Sequence, residues 1–290
     1  MRSDFCALIL THGRADRVDT FNTLRRHGYT GEIYLLIDDE DTTADEYVST
    51  YGDRVIKFSK SDIEPEFDIG DNFTNQRGSV VYARNASFEV VKNLGFKYFI
   101  MLDDDYTDFC FRIDGDGNYT SIKVRQLDKL FEALLDFYIA TPFHSIAIAQ
   151  GGDHIGGGGN KYLEAITSAR KVMNTFICDV NQSFKFIGRI NEDVNVYTHN
   201  QLRGELYLSF MSIRVNQKQT QKNSGGLTDI YLDVGTYVKS FYSVMYAPSC
   251  VKVAGLNSTY GRLHHQVAWN NTAPKIIRET YQKANATTST

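Results

Sequence analysis

The sequence has no CxxC pair, no apolar run long enough to span a bilayer and no excess of positive charge. Each absence excludes something. Cys6, Cys110, Cys178 and Cys250 are scattered through apolar contexts ("FCAL", "DFCF", "FICD"), which is the pattern of reduced core residues. The opening "MRSDFCALILTHGR" returns to charge too soon for a signal peptide, and no later stretch suits a membrane. The expectation is a cytoplasmic protein with no membrane partner. With a net charge of -4, a nucleic-acid partner would need a local basic patch. There is one Trp against 18 Tyr and 18 Phe. Aromatics suit sugar and base stacking, but they mostly fill cores.

What is present is an ordinary globular composition over 290 residues, 42% hydrophobic and 23% charged. The run 7–10 in "FCALILTHGR" reads as a buried strand of a parallel sheet. In "RADRVDTFNTLRRHGY", Val18, Phe21 and Leu24 recur at helical spacing, with Gly28 as a stop. "GEIYLLIDDED" and "DRVIKFSK" are two further strands, giving strand–helix–strand–strand. Ser79 is placed to cap the helix "SVVYARNASFEVVKNLG", which closes near Gly95. "FKYFIML" is the next strand.

Later segments continue the pattern. "FRIDGDGNYTSIKV" reads as a hairpin, its "DGDGN" lacking the closing Glu of a calcium loop. "LDKLFEALLDFYIAT" is an amphipathic helix, and "HSIAIAQ", "NTFICDV", "FKFIG" and "LYLSFMSIRVNQ" are strands. "TDIYLDVGTYVKSFYSVMY" suits a helix and "SCVKVAG" a strand. The expectation is one α/β domain over 1–282, with a mixed, mainly parallel central sheet flanked by helices, and a disordered tail at 283–290.

Chemistry concentrates where strands end. Asp38 and Asp39 close one strand, and Asp103, Asp104 and Asp105 close another. Ligands of open α/β sheets bind at such carboxyl ends. Asp103 and Asp105 are two apart, which in extended backbone puts them on one side. Hard carboxylate oxygens suit Mn²⁺ or Mg²⁺ shared with a phosphate. The plain alternative is a solvated turn. Glu192 and Asp193 in "NED" offer a carboxylate base for a hydroxyl proton; the plain alternative is a loop acid pair. His264 or His265 in "GRLHHQ" could complete a metal site, or form a polar surface pair. Arg84 in "YARN" alone would be an exposed helical Arg.

Taken in order, "ALILTHGR", "LLIDD", "VVYARNAS", "FIMLDDDY" and "INEDVN" resemble the GT-A glycosyltransferases that use nucleotide-diphospho sugars by inversion. The details "MLDDDYTDF" and "RINEDVNVYT" are similar to the TET-associated glycosyltransferases of bacteriophages. The resemblance implies a GT-A-like (Rossmann-like) fold, a UDP-sugar donor, Mn²⁺ or Mg²⁺, and 5-hydroxymethylcytosine in phage DNA as acceptor, in the host cytoplasm. By resemblance Thr11 and Arg14 contact the nucleotide, and Asp38 or Asp39 receives uracil or ribose. Arg84 lies near the base or pyrophosphate, and Asp103 and Asp105 form the D-x-D pair. Asp104 supports the loop, with some contact to the nucleotide. Asp193 is the base, with Glu192 orienting a sugar. His264 or His265 completes the metal site. The Q-x-x-R-W motif of polymer synthases is missing; only "QLRGEL" is found.

A DNA acceptor requires cations on the substrate face. Candidates are "RKVMN", "KFIGR" and the stretch with Arg203, Arg214, Lys218 and Lys222, while "GGDHIGGGGNK" could cover the acceptor. The rival readings are a glycosyltransferase acting on a glycan or small molecule, a sugar-phosphate nucleotidyltransferase and a non-catalytic sugar- or nucleotide-binding module. The nucleotidyltransferase is disfavoured by the single Gly of "THGRADR", and the binding module by the intact acids.

Overall fold

The computed structural model describes residues 1–71, 78–150, 166–167, 175–218, 228–255 and 263–272, with backbone alone for 166–167, 228–234 and 236. In chain order the elements are β1 (Phe5–Leu10), α1 (Asp19–Arg26), β2 (Glu32–Asp38), α2 (Ala44–Tyr51), β3 (Val55–Phe58), α3 (Lys60–Ile63) and α4 (Val81–Asn93). Next come β4 (Tyr98–Asp103), β5 (Tyr106–Ile113), β6 (Tyr119–Lys123), α5 (Leu127–Ile139), β7 (Ser145–Gln150), β8 (Ile166–Thr167) and β9 (Phe176–Asp179). The last are α6 (Glu192–Gln201), β10 (Tyr207–Gln217), α7 (Thr228–Tyr246), β11 (Val251–Gly255), β12 (Leu263–Val267) and α8 (Trp269–Thr272).

Ten strands form the central sheet, in the order β3-β2-β1-β4-β9-β7-β10-β5-β6, with β8 beside β10. Strands β1 to β4, β6, β7 and β10 point one way, and β5, β8 and β9 the other. The mixed, mainly parallel α/β sheet expected from the sequence is therefore present. β1 is buried along its whole length because helices cover both faces of the sheet. Successive side chains of a strand point to opposite faces. Phe5, Ala7 and Ile9 accordingly join the core under α1, α2 and α5. Cys6, Leu8 and Leu10 join the core under α3, α4 and α6.

β11 and β12 form a separate antiparallel pair that packs against α7. Trp269 of α8 stacks on Tyr197 of α6, with centroids 5.7 Å apart, which ties this C-terminal part to the main body.

The structure corrects three local expectations. A helix, α2, lies between β2 and β3, where strand followed strand in the sequence reading. Its residues carry few apolar side chains, and only Tyr47 is buried, so the periodic signal is weak. "FKFIG" is not a strand; Phe184 and Phe186 fill the core from irregular chain. Val80, not Ser79, occupies the N-cap position of α4 and makes no side-chain cap bond, while the Ser79 hydroxyl accepts from the Val81 N–H at 3.4 Å and donates to the Arg189 carbonyl at 2.7 Å. The Gly28 stop is as expected. Its φ is +85°, and a Cβ there would sit 2.7 Å from the Arg125 carbonyl oxygen. The loop "GGDHIGGGGN", "RKVMN", most of "QKQTQKNSGG" and the tail lie outside the described residues.

Among the described residues no helix is long and apolar enough to cross a membrane.

Candidate active site

Parallel pairing of β1 with β2 and β4 brings three carboxyl ends to one edge. Leu10 pairs with Leu36 on one side and Asp103 on the other. The chain then reverses at Asp104 and Asp105 to enter β5. Asp105 thus stands in a turn and not in extended backbone, unlike the sequence expectation. The alternation holds for the first two acids. Asp103 faces α4, while Asp104 faces the loop after β1.

Asp104 is buried and fully engaged. The Thr11 hydroxyl donates to its Oδ2 at 2.7 Å, and Arg14 Nη1 donates to its Oδ1 at 3.0 Å. The Tyr47 hydroxyl joins Thr11 Oγ1 at 2.7 Å and accepts from the Arg14 N–H at 2.9 Å. Thr11, Arg14 and Asp104 therefore hold one another and shape the loop. Asp105 has fewer cations to face. Burial, with the charges of Asp103 and Asp104, pushes its carboxyl up to about 7, and Arg14 offsets only part of this.

At the end of β2 Asp38 is buried, with His12 Nδ1 2.7 Å from Oδ2 and Lys60 Nζ 2.9 Å from Oδ1. Burial alone would raise its pKa. The hydrogen bonds from His12 and Lys60 outweigh it and hold Asp38 below the usual carboxylate value. Asp39 is exposed and accepts the Lys60 backbone N–H at 3.0 Å. Asp41 anchors the loop after β1 by accepting the Gly13 N–H at 2.8 Å.

Arg84 on α4 is 1% exposed. Its Nη2 donates to Asp103 Oδ1 at 3.1 Å and its Nε to Glu192 Oε1 at 2.9 Å. The rings of Phe176 and Phe186 lie 5.4 and 5.6 Å from the guanidinium. Burial opposes its charge, but Asp103, Glu192 and Asp193 outweigh that and keep it protonated. It holds together Asp103 and Glu192, the latter 108 residues from it in sequence.

Glu192 begins α6 and is buried, and burial pushes its carboxyl up against the pull of Arg84. Asp193, half-buried, is the more accessible of the two and acts on both Arg84 and Glu192 through its charge. Asn191 supports this helix start in the left-handed region, with φ 57°, a conformation Asn tolerates. Its Nδ2 donates to the Lys239 carbonyl at 2.8 Å and lies 3.2 Å from Ser243 Oγ and 3.4 Å from His265 Nδ1.

His265 therefore stands beside the start of α6, with the His264 ring 4.1 Å from it. Among the described residues no three His, Cys, Asp or Glu side chains gather into a group able to hold a metal. The structure does not bring His264 or His265 together with Asp103 and Asp105 in this way. The two aspartates still fit a hard cation. They are oxygen donors with surplus negative charge, and Mg²⁺-type ions usually complete their shell with phosphate and water.

The sequence did not single out His12, Asp41, Lys60, Tyr47 or Thr20. His12 and Asp41 were discoverable, since both flank strand ends already singled out. Tyr47 and Thr20 are neutral residues in helices and leave no such signal. Of the proposed basic stretch, Lys218 Nζ pairs with Asp19, Arg214 donates to Ser121 Oγ at 2.7 Å, Arg203 is exposed, and Lys222 lies outside the described residues.

Solved structures similar to this chain include S. aureus TarS, at 11% identity and a TM-score of 0.46, covering 74% of this chain and 37% of that one. Its 1–349 segment gives 11% identity, a TM-score of 0.42 and coverage of 74% and 60%. This chain thus spans less than two thirds of either TarS chain. Glucosyl-3-phosphoglycerate synthase from Mycobacterium tuberculosis, solved with Mn²⁺, UDP and glucosyl-3-phosphoglycerate, gives 9% identity and a TM-score of 0.45, covering 91% and 86%. No curated protein matches in sequence. A family model described as TET-Associated Glycosyltransferase matches residues 5–226. With most of its length inside that match, the chain belongs to the TET-associated glycosyltransferase family.

Proposed function

We propose that the chain is a metal-dependent, inverting glycosyltransferase. It moves a sugar from a nucleoside diphosphate, UDP in the first instance, to the hydroxymethyl oxygen of 5-hydroxymethylcytosine in DNA. The observation that carries this reading is the Arg84 bridge, which links the strand-end Asp103 to Glu192 and hence to its neighbour Asp193. A donor-side carboxylate and a candidate base are thereby held in one ion-paired unit. Family membership supports the same chemistry.

In this reading the acceptor oxygen attacks the anomeric carbon from the side opposite the diphosphate. The new C–O bond forms as the old one breaks, and the diphosphate leaves with the bonding pair. The hydroxyl proton passes to the Asp193 carboxylate. Glu192 keeps its place on Arg84 and fixes the start of α6. Asp103 and Asp105 would hold Mn²⁺ or Mg²⁺, which when bound neutralises charge on the leaving diphosphate. A base within duplex DNA must be flipped out to reach Asp193, or presented in a single strand.

The test is a donor panel. The protein and Mn²⁺ are incubated with UDP-sugars and with hydroxymethylated or unmodified DNA, and the digested nucleosides are weighed. The expected result is a mass gain of one sugar on 5-hydroxymethyl-2′-deoxycytidine only. No gain with any donor overturns the DNA acceptor. Asp193→Asn should lower kcat by about 10²- to 10⁴-fold with little change in melting temperature. Unchanged turnover removes Asp193 as the base.

A further inference from the structure

The turn that carries the D-x-D pair is held from outside itself. Its four consecutive carbonyls, from Asp103 to Tyr106, each accept from a residue remote in sequence. Thr20 Oγ1 donates to the Asp103 carbonyl at 2.6 Å, and the Thr20 N–H donates to the Asp104 carbonyl at 3.1 Å. The Lys218 N–H, just past β10, donates to the Asp105 carbonyl at 3.2 Å. Thr23 Oγ1 donates to the Tyr106 carbonyl at 2.9 Å. The Thr20 hydroxyl also accepts the Tyr106 N–H at 2.9 Å. Lys218 adds an ion pair from its ammonium to Asp19, the residue before Thr20.

Thr20 is fully buried, and its one hydroxyl bridges both ends of the reversal. Buried backbone groups must find partners, so this side chain decides how tightly the chain can turn after β4. The positions of the Asp103 and Asp105 carboxyl groups depend on that turn. Two carboxylates that share one cation tolerate little misplacement.

From these contacts we infer that Thr20 is a positioning residue for the Asp103–Asp105 pair. Its hydroxyl sets the turn, and Lys218 with Asp19 locks it from the end of β10. The inference rests on the glycosyltransferase reading for what the pair binds, but not for the turn itself.

The test compares Thr20→Val, which keeps the shape and loses the hydroxyl, with Thr20→Ser, which keeps the hydroxyl. Three quantities are read: melting temperature, hydrogen exchange at the Tyr106 amide, and Mn²⁺ binding with and without UDP by electron paramagnetic resonance. Thr20→Val should remain folded and exchange Tyr106 at least about tenfold faster, the scale of one to two lost hydrogen bonds. It should also weaken Mn²⁺·UDP binding by about tenfold. Thr20→Ser should restore both to within about twofold, a rescue that a purely packing role would not give.

Folded Thr20→Val with unchanged Tyr106 exchange overturns the inference. So does a folded Thr20→Ser that fails as the valine variant does. If the wild-type protein binds no Mn²⁺·UDP, the metal and UDP part of the proposed function fails, and Tyr106 exchange alone then decides the lock. If Thr20→Val does not fold, the serine variant decides. Wild-type exchange and binding in Thr20→Ser support the inference, and altered values in that folded variant overturn it.

Discussion

Two acidic strand ends of one sheet look alike in sequence and differ in charge balance. At the end of β2 the buried carboxylate of Asp38 meets His12 and Lys60 and is held below its usual pKa. At the end of β4 three carboxylates meet Arg14 and Arg84, and Asp105 is pushed up to about 7. The first end is compensated by the protein. The second sets three carboxylates against two guanidinium groups, and Asp105 bears the imbalance. The contrast separates an acidic cluster whose buried member is balanced by two cationic partners from one in which a carboxyl is pushed up by its neighbours. Neither count nor spacing of aspartates would distinguish them.

Removing the cation from each end is the strongest way to break the contrast. Arg84→Met leaves Asp103 and Glu192 without their shared partner in a buried setting. The expected cost is about 3–5 kcal/mol of stability, together with loss of turnover. Lys60→Met leaves Asp38 with His12 still attached, so the cost should be about 1–3 kcal/mol. Urea denaturation of the two variants checks the order. A larger loss for Lys60→Met would show that the β2 end carries more of the fold's electrostatics than the β4 end.

Removing one carboxylate from each end gives a smaller effect on stability and a sharp one on binding. Asp105→Asn should weaken Mn²⁺·UDP binding by about 100-fold, since a hard cation loses a charged oxygen donor. It should also raise the melting temperature of the metal-free protein at pH 8, because a carboxyl whose folded pKa is raised destabilises the fold once ionised. Asp39→Asn should change metal binding less than about twofold and cost about 1 kcal/mol or less, since Asp39 is exposed and contributes one bond to the Lys60 N–H. Calorimetry with Mn²⁺ and UDP, and melting curves without them, read both variants. Equal losses of Mn²⁺ binding would erase the distinction between the two ends.

The sheet was legible in the sequence because its inner strands are buried on both faces and read as unbroken apolar runs, as at Phe5–Leu10 and Tyr98–Asp103. The acids at strand ends were legible because Asp interrupts such runs. α2 was not, since a half-exposed helix with one buried side chain carries no clear stripe. The role of Arg84 was not legible either. Whether a helical Arg faces solvent or lies 1% exposed between two carboxylates depends on Glu192, which is 108 residues away. The same holds for the partners of Asp104. Thr11 and Arg14 stand three residues apart in the sequence as polar loop residues, and pairing of β1 with β4 turns them inward.

The smallest expected effect is a pH slope set by His12. Its hydrogen bond to Asp38 raises its pKa above the ordinary value of 6.5. Asp41 reinforces the rise, while burial and Lys60 oppose it. A raised folded pKa means that the histidine's contribution is fully present below about pH 6.5 and is lost as the pH climbs through the higher folded value. Asp38, with its lowered pKa, stays ionised throughout that window. Asp105 titrates with the same sign as His12, so the wild-type slope contains both. The difference between the wild type and His12→Gln isolates the histidine, because glutamine can still reach Asp38 and carries no proton to lose. His12 is 44% exposed, and solvent screening keeps its ion pair weak. Melting curves from pH 6 to 9 should therefore show a flatter slope for His12→Gln, by about 2 °C or less across the range. The gap should shrink further at about 0.5 M salt, as screening of a half-exposed pair requires. A slope unchanged by His12→Gln would mean that Lys60 alone balances the β2 end, and the two strand ends would then differ by one buried ammonium ion.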